Sequence, residues 1–142
     1  GGEPTLYAAM ILRLRALLPQ KIQFFLETNG TLPEKLKICA PAIAVFSIDL
    51  KEGQDKKFIA CAKAAREYPQ ADVYAKLVLT KTLKPQAVAG TLKKAGITEV
   101  FVQPEHGHIP ARPAVDALVH ALQAQGIHCW LVPRMHKLLK IR

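Results

Sequence analysis

Gly1, Gly2, Glu3 and Pro4 open the chain with two glycines, an acid and a proline. Paired glycines permit positive φ and let backbone N–H groups approach a ligand, while a proline suits the first turn of a helix. Glu3 can accept from an amine or cap the helix that follows. Glu27, Thr28, Asn29 and Gly30 offer a carboxylate, a hydroxyl, an amide and a flexible glycine in a row. Asn-Gly is equally a standard turn dipeptide. Asp49 and Lys51 lie two residues apart, and on a strand they face the same side. At the end of the apolar run 43–50 they read either as part of a site or as a structural ion pair. Lys76 sits inside an apolar stretch, where an unpaired buried ammonium is costly. It is expected to find Asp49, Glu27 or an anionic ligand, or to reach the rim along its own stem.

Other chemistries lack their residues. His106, His108 and His136 show no i, i+4 pair and no accompanying carboxylate at metal spacing, so no zinc site is expected. Ser47, the sole serine, has no nucleophile elbow around it. Cys39, Cys61 and Cys129 fit neither a zinc ribbon, a CxxC pair nor a local iron–sulfur run. They read as free thiols packed in a core.

The elements that would position these groups alternate along the chain. Helical periodicity covers 5–18, 32–40, 54–68, 85–95 and 113–125, and apolar strand-like runs cover 22–27, 43–50, 73–80, 99–104 and 127–132. Gly96 and Gly126 are placed to end helices. The pattern predicts an α/β fold with parallel strands, one domain over 1–142, with no repeat and no linker. The strands are nearly all apolar, as strands covered on both faces are. A barrel and an open doubly wound sheet both fit. Each polar cluster falls at the C-terminal end of a strand, the rim that binds ligands in such folds. Residues 1–4 belong to the same rim as a turn leading from a preceding strand. Without that strand, Gly1–Pro4 is expected to be poorly placed.

Half of the residues are hydrophobic and 22% are charged, an ordinary globular composition. No apolar run is long enough for a membrane helix and no secretory signal is present, which points to the cytoplasm. The net charge of +9 invites a nucleic-acid reading. However, Arg13, Arg15, Lys35, Lys37, Lys56, Lys57, Lys93 and Lys94 are spread over outer helix faces, and only 134–142 clusters its charge. The expectation is a solvated surface with a basic C-terminal edge that concentrates small anions. The competing reading is a basic module for RNA or an acidic partner. It is disfavoured because the tail is accompanied by Trp130 and by no interleaved aromatics.

Taken in order, GGEP, LETNGTLPE, IDLK and KLVLT resemble the succession found in radical S-adenosylmethionine enzymes. The likeness is strongest to the organic radical-activating group, which includes the glycyl-radical activating enzymes (pyruvate formate-lyase activase among them) and 7-carboxy-7-deazaguanine synthase. The ending, VFVQPEHGH then WLVPRMHKLLKIR, is similar to the synthase branch, and the resemblance covers nearly the whole chain. It implies a partial (β/α) barrel that uses S-adenosylmethionine and a 4Fe-4S cluster in the intact enzyme.

The resemblance also implies roles. Gly1, Gly2, Glu3 and Pro4 would take the amino group of the methionine moiety, and Thr28 and Asn29 would reach the same ligand. Asp49 and Lys51 would lie near the ribose and the carboxylate. In the activating enzymes, acids matching Glu27 and Asp49 hold a monovalent cation, so a monovalent or divalent cation is expected there, although Glu27 replaces the usual aspartate. Gln103, His136 and Lys137 would face the substrate. The family's cluster is held by CxxxCxxC upstream of GGEP, and that motif does not occur here. The implied identity is therefore the C-terminal portion of a radical enzyme, without its cluster-binding part and inactive by itself. Its substrate would be a small pterin-like molecule, or a large protein if the chain is activase-like. Flavodoxin or ferredoxin would supply electrons.

Overall fold

The computed structural model describes residues 2–105 and 110–133. A 3-10 turn, Pro4–Tyr7, leads into α1 (Ala8–Leu17). Then follow β1 (Phe25–Thr28), α2 (Pro33–Cys39), β2 (Val45–Leu50), α3 (Asp55–Arg66) and β3 (Asp72–Leu79). The described part ends with α4 (Pro85–Ala95), β4 (Glu99–Pro104), α5 (Arg112–Gln123) and β5 (His128–Leu131). Prolines occupy the first turns of α2, α4 and α5, where a missing N–H costs no helical bond. Gly96 closes α4 in the left-handed conformation, its N–H donating to the carbonyls of Leu92 and Lys93.

The expected elements are present with shifted ends. The first predicted helix opens as a 3-10 turn, and the first strand begins at Phe25. Arg15 accounts for the later start of the strand. Its guanidinium donates to the carbonyls of Pro19 and Ile22 and lies over the Phe24 ring, holding this segment as a connection.

Among the described residues all strand pairings are parallel, and the sheet order is β1-β2-β3-β4-β5. Each helix packs on the next, α1 on α2 through to α4 on α5, so the helices form one row. A doubly wound sheet reverses its strand order midway. This sheet keeps its strands in sequential order, which is consistent with a partial barrel. The core lies between sheet and helices: Leu26, Phe46, Ile48, Leu77, Val100 and Val102 meet Leu36, Phe58, Leu92, Leu118 and Leu122. Burying these side chains at roughly 1.5–3 kcal/mol each supplies the main driving force for folding.

The opposite face corrects the expectation that both faces are covered. Phe25 is 55% exposed and Trp130 is 54% exposed. Between them the rings of Phe25, Tyr74, Phe101 and Trp130 run across the sheet, with centroids 6.4, 4.7 and 6.3 Å apart. An alternation of aliphatic and aromatic residues looks uniformly apolar in sequence, yet it separates a buried face from an open one. No helix among the described residues is long and apolar enough to cross a membrane.

Candidate functional site

Two clusters occupy the C-terminal ends of β1, β2 and β3. The first is built on Glu3. Its Oε1 accepts from the Thr5 N–H (3.1 Å), the Thr5 hydroxyl (2.6 Å) and the Thr28 hydroxyl (2.8 Å), and its Oε2 accepts from the Asn29 N–H (2.8 Å). Glu3 thus caps the turn that follows it and ties residues 2–5 to the end of β1. The expected poor placement of this segment is corrected for residues 2–4, because the side chain of Glu3 supplies the anchor. Burial pushes the Glu3 carboxyl up, but the donors from Asn29, Thr5 and Thr28 together outweigh it and leave its pKa below the ordinary value. Asn29 engages its side-chain oxygen with the N–H and hydroxyl of Thr31, at 3.0 and 2.5 Å.

Gly30 joins this cluster to the next strand. Its φ is +67°, and an added Cβ would lie 2.9 Å from both the Asp49 carbonyl oxygen and Ile48 Cγ2. Only glycine permits both the left-handed turn and this contact with β2.

The second cluster is ionic. Lys76 Nζ lies 3.1 Å from Glu27 Oε1 and 3.2 Å from Asp49 Oδ1, and Lys51 Nζ lies 3.3 Å from Asp49 Oδ2. Parallel register puts Lys76 directly beside Asp49. Burial opposes the Lys76 charge, yet the Asp49 charge and the hydrogen bonds to Glu27 and Asp49 raise its pKa overall. Asp49, Lys51 and Lys76 also line a cavity of about 330 Å³ at the ends of β2 and β3, together with Glu52, Thr80 and Thr82. Ser47, paired in register with Glu27 and Tyr74, is buried, and its hydroxyl finds no hydrogen-bond partner among the described residues.

Of the residues singled out in sequence, Glu3, Thr28 and Asn29 come together, as do Asp49 and Lys51, with Gly2 and Pro4 flanking Glu3. Gln103, opposite Val78 on β4, does not line the cavity. Gly1, His106, His108, His136 and Lys137 lie outside the described residues. Where the cation was expected, near Glu27 and Asp49, the Lys76 ammonium lies against both carboxylates. No group of three or more potential metal ligands gathers among the described residues. Lys76 had already been matched to these partners, but its place in the site follows only from the pairing of β2 with β3.

Cys39, Cys61 and Cys129 are free thiols, the first two fully buried in α2 and α3 and the third half-buried on β5. Burial raises the pKa of all three, Cys61 to about 11. Thiols on three separate elements do not fit a 4Fe-4S cluster.

Fold and site together define an α/β chain with a ligand-type rim at the ends of its parallel strands. No protein-family model matches the chain. It is 31% identical over 118 residues to 7-carboxy-7-deazaguanine synthase of Thermococcus kodakarensis, a match that takes in 73% of this chain and 46% of that protein. The chain thus spans less than half the length of this relative. The similarity is to a member of the branch that segments 100–108 and 130–142 resemble.

Proposed function

We propose that this chain is the C-terminal portion of a radical S-adenosylmethionine enzyme of the 7-carboxy-7-deazaguanine synthase type, acting on a small pterin-like substrate. The observation that carries the reading is the joining of Glu3 to Thr28 and Asn29 beside the Asp49–Lys51 pair, on a chain 31% identical to such a synthase. Two further features support a preceding strand–helix unit. β1 is an edge strand, and Leu6, Met10, Leu14 and Leu17 form an exposed apolar stripe along the first helical segment, Leu17 at 82% exposure. Such a stripe is the kind of surface that a neighbouring element covers.

In this reading S-adenosylmethionine is held by the backbone of Gly1, Gly2, Glu3 and Pro4, by Thr28 and Asn29, and by Asp49 and Lys51. The donor set suits its charges. Lys51, with half its side chain exposed, offers an ammonium to a carboxylate, and Asp49 offers an acceptor to hydroxyls or an amine. The Glu3 carboxylate acts indirectly: its bonds fix the Asn29 N–H and the turn at Gly30. When bound, the cofactor supplies radical chemistry. The iron–sulfur cluster does not fit the cysteines of this chain, so its ligands and the contact with a flavodoxin- or ferredoxin-type donor fall to residues upstream of Gly1. Gln103, His136 and Lys137 are assigned to the substrate side.

Calorimetry on the intact enzyme tests the cofactor site. Asp49→Ala and Asn29→Ala should each weaken S-adenosylmethionine binding by about tenfold, the effect of losing one charge-assisted or well-placed hydrogen bond. Unchanged affinity in both variants would sink the assignment. Turnover of 6-carboxytetrahydropterin by the intact enzyme separates the synthase from a glycyl-radical activase, which would give no product above background. The reading frame just before Gly1 should encode CxxxCxxC.

A further inference from the structure

The cluster at Glu27 and Asp49 contains its own cation. Asp49 has both carboxylate oxygens engaged, Oδ1 by Lys76 at 3.2 Å and Oδ2 by Lys51 at 3.3 Å. Glu27 Oε1 receives the same Lys76 ammonium at 3.1 Å. Two carboxylates face two ammoniums, so the group is neutral as a set and offers no surplus negative charge to a metal. Hard cations need several oxygen ligands at about 2.0–2.6 Å, and an ion bridging these two carboxylates would meet the Lys76 charge in the same space. Lys76 is also constrained in its position. It is carried on β3 in register with Asp49, it lines the cavity, and its side chain is 23% exposed.

We propose that Lys76 is a built-in counter-ion that replaces a bound metal between Glu27 and Asp49, and that it holds the Asp49 carboxylate in position without any requirement for a metal ion. Lys76 is a positioning residue in this role, acting through Asp49. The inference rests on the ion pairs alone and goes beyond the cofactor assignment, so either can fail without the other.

The test uses the full chain and thermal unfolding at constant ionic strength, with choline chloride replaced stepwise by sodium, potassium or magnesium chloride. The wild-type midpoint should be the same in all four salts. Lys76→Met should lower the midpoint in choline by about 2–5 °C. Sodium or potassium at millimolar concentration should then restore part of that loss in a saturable way, because two adjacent carboxylates have lost their internal cation. Lys76→Arg should keep the wild-type indifference to salt. A purely structural lysine would give the loss in Lys76→Met without the acquired cation response, and that result overturns the proposal. Saturable stabilisation of the wild type by any of the three cations overturns it as well, and this measurement stands even if Lys76→Met does not fold.

Discussion

Glu3 and Asp49 are carboxylates at the ends of neighbouring strands, and they are satisfied in opposite ways. Glu3 accepts four hydrogen bonds from neutral groups, two of them main-chain N–H donors. Asp49 is met by two ammoniums on flexible stems, Lys51 and Lys76. The first arrangement is short-range and insensitive to salt, suited to fixing a loop. The second is long-range and partly exposed, so that salt screens it. The two ends of neighbouring strands therefore combine a hydrogen-bonded backbone frame with a salt-sensitive charge cluster.

The largest effect expected falls at the joint between the two. Gly30→Ala puts a Cβ 2.9 Å from the Asp49 carbonyl and forces a left-handed conformation on an L residue. The combined strain and overlap should cost about 2–4 kcal/mol in chemical denaturation. A loss under about 1 kcal/mol would mean that the Glu3 frame and the Asp49 strand are not mechanically joined.

Glu3→Ala comes next, at about 1–3 kcal/mol, since it leaves the buried Thr28 hydroxyl and the Asn29 N–H without their acceptor. Acid unfolding reads the same lock. The folded pKa of Glu3 lies below its ordinary value near 4.5, so its contribution is complete above that pH and is lost as pH falls through the lower folded value. Glu3→Gln should flatten this acid limb, and an unchanged limb would assign it to other groups. Glu27→Gln should cost less than about 1 kcal/mol, because Glu27 is 60% exposed and its pairing is screened. The difference from wild type should shrink further in 1 M salt, whereas that of Glu3→Ala should not. Smallest of all, iodoacetamide at pH 8 should leave Cys39 and Cys61 unmodified in the folded chain, since burial and a raised pKa withhold the thiolate. Rapid alkylation of either would show that the helix layer opens readily.

The alternation of strands and helices was legible in sequence because apolar strand-like runs and helical stripes differ in period, and because Gly96 and Gly126 mark helix ends. The pairing of Lys76 with an acid was legible from the cost of its burial alone. Asp49 and Glu27 were both named as its candidate partners; that it meets the two at once depends on the register of β1, β2 and β3, a non-local fact that no window of residues contains. The open face was not legible: Tyr74, Phe101 and Trp130 satisfy an apolar pattern whether or not anything covers them. Glu3 had two readings, ligand acceptor and helix cap. The cap prevails in this structure because Thr28 and Asn29, remote in sequence, add donors that a local reading cannot count.

The sequential strand order also has a consequence for how the sheet is made. Phe25 pairs with Val45, Val45 with Asp72, Ala75 with Val100 and Glu99 with His128, so each pairing spans a single helix and its connections. No strand must wait for a partner from the far end of the chain, and loop closure is short for a parallel sheet. The sheet can therefore grow during synthesis by adding one strand–helix unit at a time. Each new strand finds its template already in place at the growing edge, opposite β1.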